Sequence, residues 1–192
     1  MGVPGGSSPQ LVLASQSPQR RAILERLGVS FSVRPAHVQE LDRGDPAEVA
    51  LENALRKARA ACERQHELVL GVDTLVALDG AIYGKPADEQ AARTTLRALG
   101  GATHRVLSGV ALLHAGEERT ALAVTEVTFR ALDEQLLDWY VGKGEWRGRA
   151  GGYAIQGAGA ALVLGLHGDY ENVVGLPLAT LIDLHPRLLS AA

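Results

Sequence analysis

Residues 11–21 read "LVLASQSPQRR". The apolar run that opens the stretch is the pattern of a strand covered on both faces. Ser17-Pro18 then reads as an N-cap followed by proline at the first helical position, where a missing N–H is harmless. Ala22, Ile23, Leu24 and Leu27 follow, with Gly28 as the stop just past the helix end. A strand feeding directly into a capped helix is the opening unit of an α/β chain. It also leaves two serines and Arg20 at an open helix N-terminus, which offers unpaired N–H groups and partial positive charge. A cation in that first turn opposes the dipole unless an anion arrives, and a guanidinium grips phosphate oxygens in pairs. The local physics of this corner favours a phosphate, although Ser17 as a plain cap and Arg20 as a solvated charge would give the same letters.

Working outward, "FSVRP" (31–35) reads as a second strand. Asp45-Pro46 opens a helix with Glu48 at the third position of a capping box, carrying Leu51, Leu55 and Lys57 to about Arg64. "LVLGVDTLVALDGAIYGKP" (68–86) reads as a strand and a hairpin, with Asp79-Gly80 as a two-residue turn. Asp88 caps a helix that ends at Gly100-Gly101. Residues 104–114 and 120–130 alternate as an antiparallel pair around "HAGEE". Asp133 starts a helix with Leu136, Leu137, Tyr140 and Val141 on one face. The glycine-rich "GRAGGYAIQGAGA" leads into the strand "LVLGLHG", and Pro177 begins a last helix that Pro186 ends or kinks. Helices alternate with strands early and hairpins dominate the middle, so the expected fold is α/β with a mixed twisted sheet flanked by helices, in two lobes. Residues 10–190 read as one domain behind a disordered leader over residues 1–9.

The 192 residues include 22 acidic and 19 basic side chains, a net charge of -3. A nucleic-acid-binding protein usually carries a basic face, and with acids in excess and only 4% aromatic residues no nucleic-acid partner is expected here. Cys62 is the single cysteine, which rules out an intramolecular disulfide and suits a reducing, cytoplasmic setting. No secretory signal or apolar span is present, so no membrane partner is expected.

The chemistry-bearing residues lie in a few places. In "GVDT" (71–74) an apolar strand delivers Asp73 and then a hydroxyl, Thr74. A carboxylate just past a strand end can hold a metal or take a proton from water. Lys85 follows the hairpin in "YGKP", an ordinary turn composition. Lys57 sits among Arg56 and Arg59 as on a solvated helix face, and Glu40 lies in the polar "HVQE". The histidines show no close metal-ligand spacing.

Together these stretches resemble the Maf proteins, a family of nucleoside triphosphate pyrophosphatases. The matching segments run in family order from about residue 11 to 184: "LASQSPQRRAILERLG", "HVQE", "LRKARA", "VLGVDTLVALDGAIYGKP", "GATHRVLSGVAL", "VTFRALDEQLLDWYVGKGE", "AGGYAIQG" and "GDYENVVGLPL". The resemblance implies an inosine triphosphate pyrophosphatase-like α/β fold with a cleft between two lobes. It implies cleavage of a nucleoside triphosphate between the α- and β-phosphates, a divalent cation (Mg or Mn) as cofactor, a homodimer, and a link to septum formation and nucleotide clean-up. It places Asp73 as the catalytic aspartate, Ser15 and Arg20 in a phosphate-binding loop, and Lys57 and Lys85 as further phosphate ligands. Glu40, with Asp73, becomes a metal ligand, and whether Asp73 is base or ligand stays open. Gln19, Thr74 and Gln156 fall at the positions that select the base. Thr74 and Gln156 match the dTTP/UTP branch. Gln19 departs from that branch's arginine, and Gln39 from the usual aspartate before Glu40. A 7-methyl-GTP pyrophosphatase, or a nucleotide-binding regulator of division, is the alternative; a pure binder would need the cations but not the acids.

Overall fold

Strand β3 (Leu68–Leu78) organises the architecture. The structure is a computed structural model and describes residues 10–191, so the leader expected over residues 1–9 lies outside the described residues. On one edge β3 pairs in parallel with β1 (Leu11–Leu13), which in turn pairs in parallel with β2 (Phe31–Val33). On the other edge it runs antiparallel to β5 (Thr103–His114), from Val69 opposite Leu113 to Ala77 opposite Arg105. The sheet continues through β6 (Glu117–Phe129) to β7 (Val163–His167), while β4 (Ala81–Tyr83) folds back on the end of β3. The result is a mixed sheet, as expected from sequence, with seven strands in the order β2-β1-β3-β5-β6-β7 and β4 beside β3.

Beyond Ala14, whose N–H bonds the Leu70 carbonyl at 2.8 Å, β1 leaves the sheet. The hairpin strand β4 pairs only with Val76–Leu78. Gly71–Leu75 therefore pair with β5 alone, and a gap opens along one edge of β3 between the end of β1 and the start of β4.

Successive strand residues face opposite sides, and β3 uses both. Leu70, Val72 and Val76 point into two apolar clusters. One surrounds α1 (Pro18–Arg26) and α6 (Leu178–Leu184), and the other surrounds α3 (Glu89–Leu99) and α4 (Glu134–Gly142). Val69, Leu75 and Ala77 face the side covered by α2 (Pro46–Ala61). The small face of that helix, Ala50, Ala54 and Ala58, lies directly on two sheet glycines. A Cβ at Gly109 would stand 2.1 Å from the Ala50 carbonyl oxygen, and one at Gly71 would stand 2.2 Å from that of Ala54. Only glycine permits so close an approach, and it fixes where α2 side chains meet β3.

The helix starts follow the caps read from sequence: Ser17, Asp45, Asp88 and Asp133 each accept N–H groups from the first turn. Four local expectations change. Helix α2 ends at Ala61 rather than near Arg64, because Arg34 Nη1 donates to the Ala61 carbonyl (2.7 Å) and Cys62 turns to extended backbone. The β5–β6 connection tightens to Ala115-Gly116, both with positive φ, so "HAGEE" lies mostly in strand. A short helix α5 (Tyr170–Val174), capped by Asp169, was not expected at all. Asp73 stands within β3 rather than at a strand end; what ends beside it is β1. No helix among the described residues is long and apolar enough to cross a membrane.

Candidate active site

A cleft of about 830 Å³ opens at the gap along β3. The β1–α1 corner brings Ser15, Gln19 and Arg20 to it, β3 brings Asp73 and Thr74, α2 brings Lys57, the loop before α2 brings Glu40, and the segment after β4 brings Lys85. Gln156 stands apart. It is exposed in an adjoining cavity of about 460 Å³ that shares Arg149, Tyr153, Val173 and Val174 with the cleft.

Asp73 points to the α2 side and is almost fully buried. Lys57 Nζ lies 2.6 Å from its Oδ1, and Asn53 Nδ2 donates to its Oδ2 at 3.0 Å. Lys57 is buried rather than on the solvated face its charged neighbours suggest, and its Nζ also lies 2.7 Å from Glu40 Oε1. Two carboxylates thus converge on one ammonium. Asn53 and Lys57 are one helical turn apart, the spacing that puts both on the same face. Asn53 makes three hydrogen bonds. Its Oδ1 accepts from the Leu41 N–H (2.7 Å), and its amide donates to the Leu41 carbonyl (2.9 Å) as well as to Asp73. It ties the Glu40 loop, α2 and Asp73 together. Asn53→Leu is expected to lower stability by about 1–3 kcal/mol, the penalty for unpaired buried polar groups, and to lower kcat. A melting temperature and turnover both within error of wild type would remove Asn53 from this role.

Arg20 comes from the other side. Its Nε donates to the Gly175 carbonyl (2.8 Å), Nη1 to Ser15 Oγ (2.9 Å) and Nη2 to Thr74 Oγ1 (3.1 Å). Burial pushes the guanidinium below the usual arginine range, while the Asp73 and Glu40 charges push it back up. Ser15 Oγ also accepts from the Ser17 N–H (3.2 Å), and Ser17 Oγ donates to Gln19 Oε1 (3.2 Å), so the corner is internally braced. Thr74, next in sequence to Asp73, points to the opposite face and meets the buried Ser108.

Tyr153 is wall to both cavities, and its hydroxyl lies 2.9 Å from His104 Nε2. Phe129 closes an edge-to-face aromatic trio with them. Burial lowers the His104 pKa from 6.5 to about 4. Between those values the unfolded chain binds a proton on this ring that the folded protein does not. Stability therefore falls as pH drops from 6.5 toward 4. His104→Gln is expected to lose less melting temperature between about pH 7 and about pH 5 than wild type does; an equal loss would remove His104 as a source of acid sensitivity.

Asn53, Ser108 and Arg149 were not singled out from sequence. Only Asn53 carried a signal, its helical spacing from Lys57. Among the described residues, no group of three His, Cys, Asp or Glu side chains could by itself hold a metal ion.

A model of the family described as Maf-like protein matches residues 10–187. A dTTP/UTP pyrophosphatase of Anaeromyxobacter dehalogenans is 48% identical over 178 residues, covering 90% of each chain. Proteins of the same name from Symbiobacterium thermophilum and Thermococcus gammatolerans are each 45% identical. They cover 91% and 88% of this chain and 92% and 91% of their own. The chain belongs to the Maf-like family.

Proposed function

We propose that the protein hydrolyses nucleoside triphosphates, dTTP and UTP foremost, between the α- and β-phosphates to a monophosphate and pyrophosphate, as a single domain over residues 10–190. The observation that carries this reading is that one cleft joins a cationic, hydroxyl-lined corner around Arg20 to two carboxylates, Asp73 and Glu40, that share Lys57. The names of the relatives support the substrate class.

A guanidinium has five N–H groups. Arg20 uses three internally, one on each nitrogen, so one remains on each terminal nitrogen as a fork for phosphate oxygens. Lys85, exposed in the cleft, adds charge opposite the leaving pyrophosphate. Each Asp73 oxygen already accepts one hydrogen bond, which leaves a lone pair free to take the proton of the attacking water. The water oxygen bonds to the α-phosphorus, the bond to the bridging oxygen breaks, and pyrophosphate leaves with the electron pair. Gln19 and Gln156 line the regions where the base is read.

The donor set fits a hard divalent cation. Magnesium is usually held by one or two carboxylates plus substrate phosphates rather than by a protein cage, and Glu40 and Asp73 would supply those carboxylates through lone pairs that the shared Lys57 ammonium leaves free. Bound there, such an ion would supply Lewis-acid polarisation of the α-phosphate.

The deciding experiment is a pyrophosphate-release assay with dTTP, UTP, CTP, 7-methyl-GTP and purine triphosphates, with magnesium, manganese or a chelator. Turnover of dTTP and UTP that the chelator abolishes is expected. No turnover with either metal would sink the enzyme reading, and preference for 7-methyl-GTP would overturn the branch. We also read the protein as a cytoplasmic homodimer, which light scattering on the eluted peak tests for its dimer part.

A further inference from the structure

Ser108 is a hydroxyl placed among valines. It lies on β5 directly opposite Thr74 on β3, and the flanking positions on that face are Val106 and Val110 on its own strand and Val72 and Val76 on β3. Its relative exposure is 0%. A hydroxyl there is unfavourable unless it is hydrogen-bonded. Its bond is to Thr74, with the two oxygens 2.8 Å apart.

The Thr74 hydroxyl meets three partners. Arg20 Nη2 lies 3.1 Å away, Ser108 Oγ 2.8 Å, and the Gly175 carbonyl 3.4 Å. A hydroxyl donates one hydrogen and accepts two. A guanidinium only donates, so Thr74 accepts from Arg20. Either hydroxyl can donate in the 2.8 Å bond between Thr74 and Ser108, and it is shorter than the 3.4 Å contact to the Gly175 carbonyl. The Thr74 hydroxyl that meets Arg20 is therefore anchored from behind by Ser108.

We infer that Ser108 and Thr74 are a positioning pair that holds the Arg20 guanidinium for the triphosphate. This rests on the reading of Arg20 as a phosphate ligand. The Gly175 carbonyl and Ser15 hold the other two guanidinium nitrogens. Removing the hydroxyl at Thr74 frees one arm of the fork. Removing that at Ser108 leaves Thr74 free to turn away.

The variants are Ser108→Ala, Thr74→Val and Thr74→Ser, with KM and kcat measured on dTTP, UTP and CTP. Binding of inorganic tripolyphosphate in magnesium is followed by calorimetry, and a melting curve checks folding. Ser108→Ala is expected to raise KM about three- to tenfold with a smaller change in kcat, the size of one lost hydrogen bond. Its preference among the three nucleotides stays within about twofold of wild type. Thr74→Val weakens tripolyphosphate at least as much, Thr74→Ser recovers most of that loss, and the double variant is no worse than Thr74→Val because both changes act on one contact. A Thr74→Val protein that binds tripolyphosphate normally but changes its UTP to CTP preference more than about fivefold overturns the inference. So does a Ser108→Ala protein indistinguishable from wild type. If wild type hydrolyses no nucleotide, the proposed function fails and the tripolyphosphate arm decides alone. No binding by wild type, or equal binding by Ser108→Ala, then overturns the positioning pair.

Discussion

Asp73→Asn is expected to lower kcat for dTTP and UTP by about 10²- to 10⁴-fold, the range a positioned proton acceptor contributes. The substitution keeps the shape and removes the charge. It also disturbs a matched pair of contacts. The two carboxylate oxygens now face two donors, Lys57 Nζ and the Asn53 amide. An asparagine offers one oxygen and one NH₂, so whichever way it turns, one donor meets another donor. Lys57 keeps Glu40 as a counter-charge, so the loss of stability should be nearer about 1–3 kcal/mol than the larger figure for a stranded buried charge. Turnover is read by pyrophosphate release and folding by a melting curve. A folded variant within about tenfold of wild-type kcat would take the proton-accepting role away from Asp73.

The second large effect comes from a methyl group far simpler than any catalytic change. Gly109→Ala places a Cβ 2.1 Å from the Ala50 carbonyl oxygen and 2.7 Å from the Leu51 nitrogen. Both are backbone atoms in the first turns of α2, so no side chain can swing aside, and the helix itself must lift. Gly71→Ala does the same one turn on, 2.2 Å from the Ala54 oxygen and 2.9 Å from the Ala58 Cβ. Destabilisation of about 3 kcal/mol or more is expected, at the upper end for overpacking, a drop of roughly 6–12 °C in Tm for a chain of this size. Because α2 carries Asn53 and Lys57, the variant that still folds should also lose turnover. Gly165→Ala, with nothing within 4 Å of the added Cβ, is the control. A Gly109→Ala melting temperature within about 2 °C of wild type would mean that α2 does not pack so closely.

The parts of the fold governed by near neighbours were legible in the sequence. Ser17, Asp45, Asp88 and Asp133 announce helix starts because a cap acts on its own first turn, and Asp79-Gly80 announces a hairpin because it must accept positive φ. What escaped depends on distant partners. The end of α2 is set by Arg34, and the five-residue α5 is too short to show a helical period. The site divides in the same way. The resemblance to Maf proteins named Arg20, Lys57 and Asp73 through motifs. Ser108 sits in "HRVLSGVAL", where nothing nearby distinguishes it, and only register with Thr74 gives it a role.

The open edge of β3 also bears on the order in which the molecule assembles. The β3–β4 and β5–β6 pairs close through two-residue turns, events on the scale of about 1–10 μs for an isolated hairpin. Joining Leu11–Leu13 to Leu68–Leu70 spans all of α1, β2 and α2, and the entropy of closing so long a loop comes before any hydrogen bond offsets it. The corner bearing Arg20 docks only when β1 has found that edge. On the proposed function, competence toward a triphosphate is therefore expected late in folding, and it is expected to be lost when the β1–α1 unit detaches while the long hairpin stays intact.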